Sequence, residues 1–174
     1  MRAVERGGCK KGEIPMGRLI GTDGVRGVAG EDMTCELAMD IGRAAATVLT
    51  YGRRRRPLVV LGKDTRLSSD MLGAALSAGL CSVGADVIDL GVVPTPAVAY
   101  LVGKYKADAG VMISASHNPY QFNGIKIFGG EGFKLPDALE DQIEALVLDE
   151  SPFPLWAATG LGRLHIPPPP CAIM

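Results

Sequence analysis

The densest group of reactive side chains in this 174-residue chain is Ser114-Ala-Ser-His-Asn-Pro119, followed closely by Asn123-Gly-Ile-Lys126. An apolar stretch at 110–113 leads into it and brings the Ser116 hydroxyl to a Gly/Asn/Pro turn, with the Lys126 ammonium a few residues on. Two chemistries use such a group. In the first, Ser116 is a nucleophile with His117 as its base. Neighbours on an extended segment point to opposite sides, which places His117 badly for taking the proton, and no Gly-x-Ser-x-Gly elbow is present. In the second, Ser116 carries a phosphoryl group, whose transfer depends on positioning and charge neutralisation and calls for cations and a metal. A third reading assigns no chemistry and leaves the Ser, Asn and Pro as caps of a turn.

Two other motifs bear charge. Gly21-Thr-Asp-Gly-Val-Arg-Gly27 presents Arg26 from a glycine loop, where a guanidinium can grip phosphate oxygens in a fork. The competing reading makes Arg26 an ion-pair partner of Asp23 or of another loop carboxylate. In Gly62-Lys-Asp-Thr-Arg66, Asp64 and Arg66 are read as ties between neighbouring loops, in a supporting role.

The elements that must position these groups follow from periodicity. Extended segments are expected at 18–21, 58–61, 85–90, 110–113 and 124–128. Helices are expected at 34–51 with Thr34 as cap, from Ser68 or Ser69 through Leu80, from Thr95-Pro96 to about 105, and over 137–148. Strands alternating with helices over 17–150 predict an α/β layered domain with a mainly parallel sheet, whose ligand sites lie at the carboxyl ends of its strands. The loops 22–30, 62–66 and 114–123 then converge on one crevice.

Composition removes several classes of function. With 18 Lys+Arg against 19 Asp+Glu the chain has no global field for nucleic acid. The basic run at 53–56 is read as a solvated helix terminus. Four scattered cysteines and two histidines make neither a zinc site nor a disulfide scaffold. The apolar, uncharged stretch 90–103 is too short to span a bilayer, so a cytoplasmic protein is expected. Residues 1–15 are charged and patternless and read as a non-native or disordered extension. Residues 151–174 lose all period and read as an unrelated, disordered tail. Cys171-Ala-Ile-Met174 fits a prenylation pattern, but no polybasic stretch precedes it.

GTDGVRG (21–27), GKDTR (62–66), SASHNP (114–119) and NGIK (123–126), in this order and spacing, resemble the first domain of the α-D-phosphohexomutases. The resemblance covers about 16–150 and implies a three-layer α/β/α domain with a mixed, mainly parallel sheet. It implies that Ser116 is phosphorylated, passes its phosphoryl group to a sugar phosphate and takes one back from a bisphosphate intermediate. It implies Mg2+ bound through the Ser116 phosphate, and a hexose 1,6-bisphosphate or other phosphoryl primer. Arg26 and Lys126 would flank the phosphoserine, Lys126 as proton donor and acceptor. His117 would make a supporting contact, with Asn118 and Thr22 on the substrate.

The wording of the motifs points to a phosphorylated hexosamine as substrate, with glucose or mannose phosphates as the alternative. Neither nucleic acid nor membrane is implied as a partner, and a homo-oligomer through exposed domain faces is left open. The aspartate-rich metal loop, sugar-reading loop and distal phosphate-gripping loop of such enzymes are absent from the sequence. The chain alone is therefore expected to be inactive or nearly so, as a frameshifted or truncated gene would leave it. A noncatalytic stand-alone module that binds phosphate or other chains is the competing class.

Overall fold

A computed structural model describes residues 19–21, 24–50, 55–149, 153, 155 and 158–167. Among them the elements are β1 (Val25–Val28), α1 (Cys35–Thr50), β2 (Leu58–Lys63), α2 (Leu67–Ser82), β3 (Asp86–Val92), α3 (Thr95–Tyr105), β4 (Ala109–Ile113), β5 (Phe122–Gly129), α4 (Asp137–Leu148) and β6 (Leu164–His165). One six-stranded sheet has the order β1-β5-β4-β2-β3-β6. Strands β4, β2, β3 and β6 pair in parallel, and β5 runs antiparallel to both of its neighbours. This is the expected α/β/α architecture with a mixed, mainly parallel sheet.

The outer layers are uneven, and strand alternation explains how each is held. Val59 and Leu61 of β2, Val111 and Ile113 of β4, and Ile125 and Ile127 of β5 face a core shared with α1, α2 and α4. The intervening Val60, Met112 and Phe128 turn to the opposite face, where Val98 and Val102 of α3 cover them. Helix α1 starts where expected, because the Thr34 hydroxyl accepts the Leu37 N–H at 3.2 Å. Helix α2 opens without a side-chain cap. The helix, expected to open at Ser68 or Ser69, begins at Leu67, and Ser69 donates from its first turn to the charged Asp64 acceptor at 2.7 Å.

Helices α1 and α2 approach closely because two glycines lie at their crossing. A β-carbon on Gly42 would stand 2.6 Å from the Leu76 carbonyl oxygen, and one on Gly79 would run into the carbonyl of Met39.

Three local expectations need correction. Of the extended segment expected at 18–21, the described residues 19–21 are a bend leading to Gly21, which exchanges backbone bonds of 3.0 and 3.1 Å with Gly24. The strand begins after it, at Val25, where β5 supplies a pairing partner; Gly24, at φ 85°, makes the turn that a side chain would block against the Ile125 carbonyl. Arg26 thus sits on a strand rather than in a glycine loop.

The basic run is not a solvated helix end either, as far as the described residues go. Arg55 pairs at 2.7 Å with the Asp108 carboxylate, which is 1% exposed and would be costly to bury alone. Arg56 donates at 2.7 Å to the carbonyls of both Thr159 and Leu161.

That second contact belongs to the third correction. The stretch after 150, expected to hold no regular element, contributes β6 to the edge of the sheet beside β3. Gly162 N–H bonds the Cys81 carbonyl at 2.9 Å and Arg163 N–H the Asp86 carboxylate at 2.8 Å, so the free edge of β3 supplies the order that side-chain period does not. The expectations for 1–15 and for the 171–174 motif lie outside the described residues. No helix among the described residues is long and apolar enough to cross a membrane.

The glycine crossing makes a signed prediction. Gly79→Ala should lower unfolding free energy by about 1–3 kcal/mol, as overpacking does. Gly103→Ala, on α3 with nothing within 4 Å of an added β-carbon, should instead gain up to about 1 kcal/mol of helix propensity. Urea denaturation of the two variants beside the parent chain reads both.

Candidate functional site

Parallel neighbours β2 and β4 end side by side, so the loops that leave them meet. Asp64 N–H bonds the Ile113 carbonyl at 3.0 Å, and Ser114 N–H bonds the Gly124 carbonyl at 2.9 Å before the chain leaves the sheet. Ala115 stays buried, whereas Ser116 and His117 are exposed. The chain reverses here, with Asn118 N–H on the Ala115 carbonyl at 3.1 Å. Ser116 adopts φ 56°, the left-handed region that costs a residue with a β-carbon about 1–2 kcal/mol. Something must hold it there.

Arg66 supplies much of that restraint. Its Nη2 donates to the carbonyls of Ser116 and Asn118, both at 2.9 Å, and its Nη1 to those of Pro119 at 2.7 Å and Phe122 at 3.0 Å. Nε donates to the Asp64 carboxylate at 2.9 Å. A guanidinium has five N–H donors, and all five are engaged within a side chain that is 12% exposed. The expectation that Asp64 and Arg66 tie loops together describes this arrangement.

Asp64 is as fully engaged. It accepts from Ser69 at 2.7 Å, from Arg66 N–H at 3.0 Å and from the hydroxyl of Ser114. Burial works to raise its pKa, but the bonds from Ser69, Ser114 and Arg66 outweigh burial and hold the carboxyl below its ordinary 3.8.

Behind this pair lies a residue whose role the sequence reading missed. Asn123 is fully buried; its amide donates to Ser68 at 2.9 Å and to Ser69 at 3.1 Å, while its oxygen accepts Gly124 N–H at 2.8 Å. The available signal was a polar residue at an inward-facing strand position beside Ile125 and Ile127.

The cations expected around Ser116 occupy one face of the sheet. Arg26 pairs across β1 and β5 with Gly124, and the backbone bond from Ser114 to Gly124 extends that row to the start of the Ser116 loop. Gly124 makes room for the arginine stem, since a β-carbon there would lie 2.9 Å from Arg26 Cγ. Lys126 is two residues further along β5, on the same face, with its ammonium 5.8 Å from the centre of the Phe128 ring. Thr22, expected on the substrate, and Asp23, weighed as an ion-pair partner of Arg26, lie outside the described residues. Lys63 points into the three-helix face and bonds Asp70 at 3.0 Å and Asp89 at 3.7 Å. Burial works to lower its pKa, but those two carboxylates outweigh burial and raise it.

His117 stands closer to the serine than extended geometry allows, which corrects the reason for setting it aside. Ser116 and His117 lie in a turn, and Ser116 Oγ is 3.4 Å from His117 Nδ1. The separation is long for a hydrogen bond, and among the described residues no carboxylate orients the ring. Asn118 contributes its carbonyl to Arg66. For a metal, the described residues hold no group of three or more His, Cys, Asp or Glu that could bind one. Mg2+ requires several hard oxygen ligands, and this loop offers a single hydroxyl, so the chain's own described residues do not form such a site.

Residues 17–152 match the family model described as phosphoglucomutase/phosphomannomutase, alpha/beta/alpha domain I. The chain is 60% identical over 148 residues to a phosphoglucosamine mutase of Caldanaerobacter subterraneus subsp. tengcongensis, covering 85% of this chain and 33% of the relative. It is 62% identical over 136 residues to a phosphoglucosamine mutase of Acetivibrio thermocellus, covering 78% of this chain and 30% of the relative. A Thermus thermophilus crystal structure described as a phosphomannomutase superposes with a TM-score of 0.71 at 35% identity, covering 84% of this chain and 32% of that one. The chain therefore spans about a third of the length of the curated relatives it matches.

Two measurements check the loop clamp. Arg66→Lys, which replaces a five-donor fork by a three-donor ammonium, should cost about 1–2 kcal/mol in unfolding free energy by leaving several loop carbonyls, two of them in part-buried bonds, without their donor. Because the Asp64 pKa is lower in the folded chain, its contribution is fully present above about pH 3.8 and is lost as pH falls through the folded value. Stability measured from neutrality downward should therefore fall less steeply below pH 4 in Asp64→Asn than in the parent.

Proposed function

The chain belongs to the phosphoglucomutase/phosphomannomutase family, as its α/β/α domain I, and on that premise we propose that it is the phosphoserine domain of a phosphoglucosamine mutase. The reaction would interconvert glucosamine 6-phosphate and glucosamine 1-phosphate in the cytoplasm through a bisphosphate intermediate. The observation that carries the reading is an exposed Ser116 hydroxyl on a turn whose shape is held by a fully engaged arginine. Phosphoryl transfer asks the protein for position and charge neutralisation above all, and this site is built for the first.

In the proposed sequence the phosphorus–oxygen bond to Ser116 breaks as a sugar hydroxyl attacks phosphorus, the hydroxyl proton passes to a base, and Ser116 Oγ leaves and takes up a proton to become the free hydroxyl. The bisphosphate then presents its other phosphoryl group, which Ser116 Oγ takes back. Lys126 is assigned the proton transfers to and from the sugar hydroxyl. Arg26 is assigned to neutralise the phosphoserine, which carries close to two negative charges at neutral pH. Arg66 is excluded from gripping phosphate, since its five donors are spent on the loop and on Asp64. His117 is assigned a supporting contact to the phosphoserine, and Asn118 and Thr22 contacts to the substrate.

Mg2+ would meet one oxygen of a phosphorylated Ser116, its remaining ligands coming from other parts of a complete enzyme, and no step is routed through it. A phosphorylated hexosamine is favoured over a glucose or mannose phosphate by likeness: 60% identity to the glucosamine enzyme against 35% to the Thermus structure.

The chain alone is expected to turn over little or not at all, so the test reads a single phosphoryl transfer, by incubation with a hexose 1,6-bisphosphate followed by peptide mass spectrometry. One phosphoryl group should appear on Ser116 and none in Ser116→Ala, and Lys126→Ala should slow the labelling by about a hundredfold. A parent chain that stays unlabelled at millimolar bisphosphate would point instead to a noncatalytic module.

A further inference from the structure

Ser116 lies between two peptide groups, and the structure holds both. The N–H before its α-carbon donates to Ser114 Oγ at 3.0 Å. The carbonyl after it accepts from Arg66 Nη2 at 2.9 Å. Both restraints lead back to one carboxylate. Ser114 uses its own proton to donate to Asp64, and Arg66 Nε donates to Asp64 at 2.9 Å. Fixing the peptide planes on either side of one α-carbon fixes φ and ψ of that residue, because those planes are rigid.

The direction of each bond in this circuit is determined. A carboxylate only accepts, so Ser114 and Ser69 must both donate to Asp64. Ser69 can then only accept from the Asn123 amide, and the orientation of that amide is fixed in turn by the Gly124 N–H on its oxygen. The circuit runs from the buried floor of β5, through α2 and the end of β2, to the exposed serine. The Asn123 and Ser69 side chains have essentially no contact with solvent, so the circuit is anchored in the core.

We infer that Asp64 is the positioning residue for Ser116, fixing the left-handed conformation that presents its hydroxyl through Ser114 on one side and Arg66 on the other, with Asn123 and Ser69 holding Asp64 itself. The inference rests on Ser116 being the phosphoryl acceptor. Its failure and the failure of that reading are separable, because the conformation of Ser116 can be read without any phosphoryl transfer. Asp64 touches no substrate, and its effect is exerted through the backbone of the serine.

The test uses the full 174-residue chain in two arms. Nuclear magnetic resonance reads the sign of φ at Ser116 from backbone shifts and the one-bond Cα–Hα coupling, and reads exchange of the Ser116 amide. Glucose 1,6-bisphosphate is the probe for the rate of Ser116 labelling. Asp64→Asn should keep a dispersed, folded spectrum, lose the positive-φ signature at Ser116, speed exchange of its amide about tenfold and slow labelling by at least the same factor.

Retention of the signature in Asp64→Asn would overturn the inference, as would loss of the signature with labelling unchanged. If the parent chain does not label, the phosphoserine reading fails and the first arm alone decides whether Asp64 sets this backbone. Should Asp64→Asn not fold, Ser114→Ala removes only the amide branch. It should release the Ser116 amide while the Arg66 contacts persist, and Ser114→Thr, which keeps the hydroxyl, should restore protection. Protection that survives in Ser114→Ala counts against the proposal.

Discussion

One guanidinium with no donor to spare organises the candidate site. Four of the five N–H groups of Arg66 end on backbone carbonyls between Ser116 and Phe122, and the fifth ends on Asp64. A loop closed this way has few alternative shapes, because each change of backbone direction would strand a polar group that water reaches poorly. The exposed serine at its tip can therefore occupy an otherwise unfavourable backbone region without the loop relaxing away from it. The position of the Ser116 hydroxyl is then set in the resting chain, and little ordering of this loop is left for an encounter with a ligand.

That clamp depends on two strands ending together, which is a matter of topology. Adjacent parallel strands β2 and β4 bring 64–66 and 114–122 within bonding reach although some fifty residues separate them. Antiparallel β5 then returns the chain immediately, so Gly124 and Lys126 lie beside the strand that delivered Ser116. The glycine crossing sets α1 and α2 close together, while Gly73 of α2 faces Ile113 and Leu61 of the sheet and Ser69 of the same helix reaches Asp64 and Asn123. Serine, asparagine and aspartate are poor core residues one at a time. Here each satisfies the next, and the group is buried at little cost.

Much of this was legible in the residues, for identifiable reasons. Apolar period located the helices at 34–51 and 137–148 within a residue or so, since both are amphipathic and Thr34 is a true cap. Convergence of the 62–66 and 114–123 loops followed from strand order alone. What failed was information that resides in partners. The pairing of Val25–Val28 depends on β5, about a hundred residues away, and the glycines that suggested a loop there permit close packing. The order after 150 comes from the edge of β3 and from Arg56, neither visible in the local composition. Asn123 read as part of a motif, but its buried role appears only once α2 lies against it. Side-chain adjacency of Ser116 and His117 was judged on extended geometry, and a positive φ at Ser116 voids that premise.

The edge formed by β6 bears on how the chain is made. Arg56 grips carbonyls 103 and 105 residues downstream, and β3 waits for the same segment to cover part of its outer side. During synthesis β1 to β5 and their helices are complete before 158–165 emerge. The rim must remain open until that later segment has left the ribosome. For that interval β3 shows neighbouring nascent chains an unpaired row of amides and carbonyls, the kind of edge that recruits foreign strands. Arg56, whose carbonyl partners arrive only with that segment, leaves the half-made molecule with an unmatched cation beside the rim.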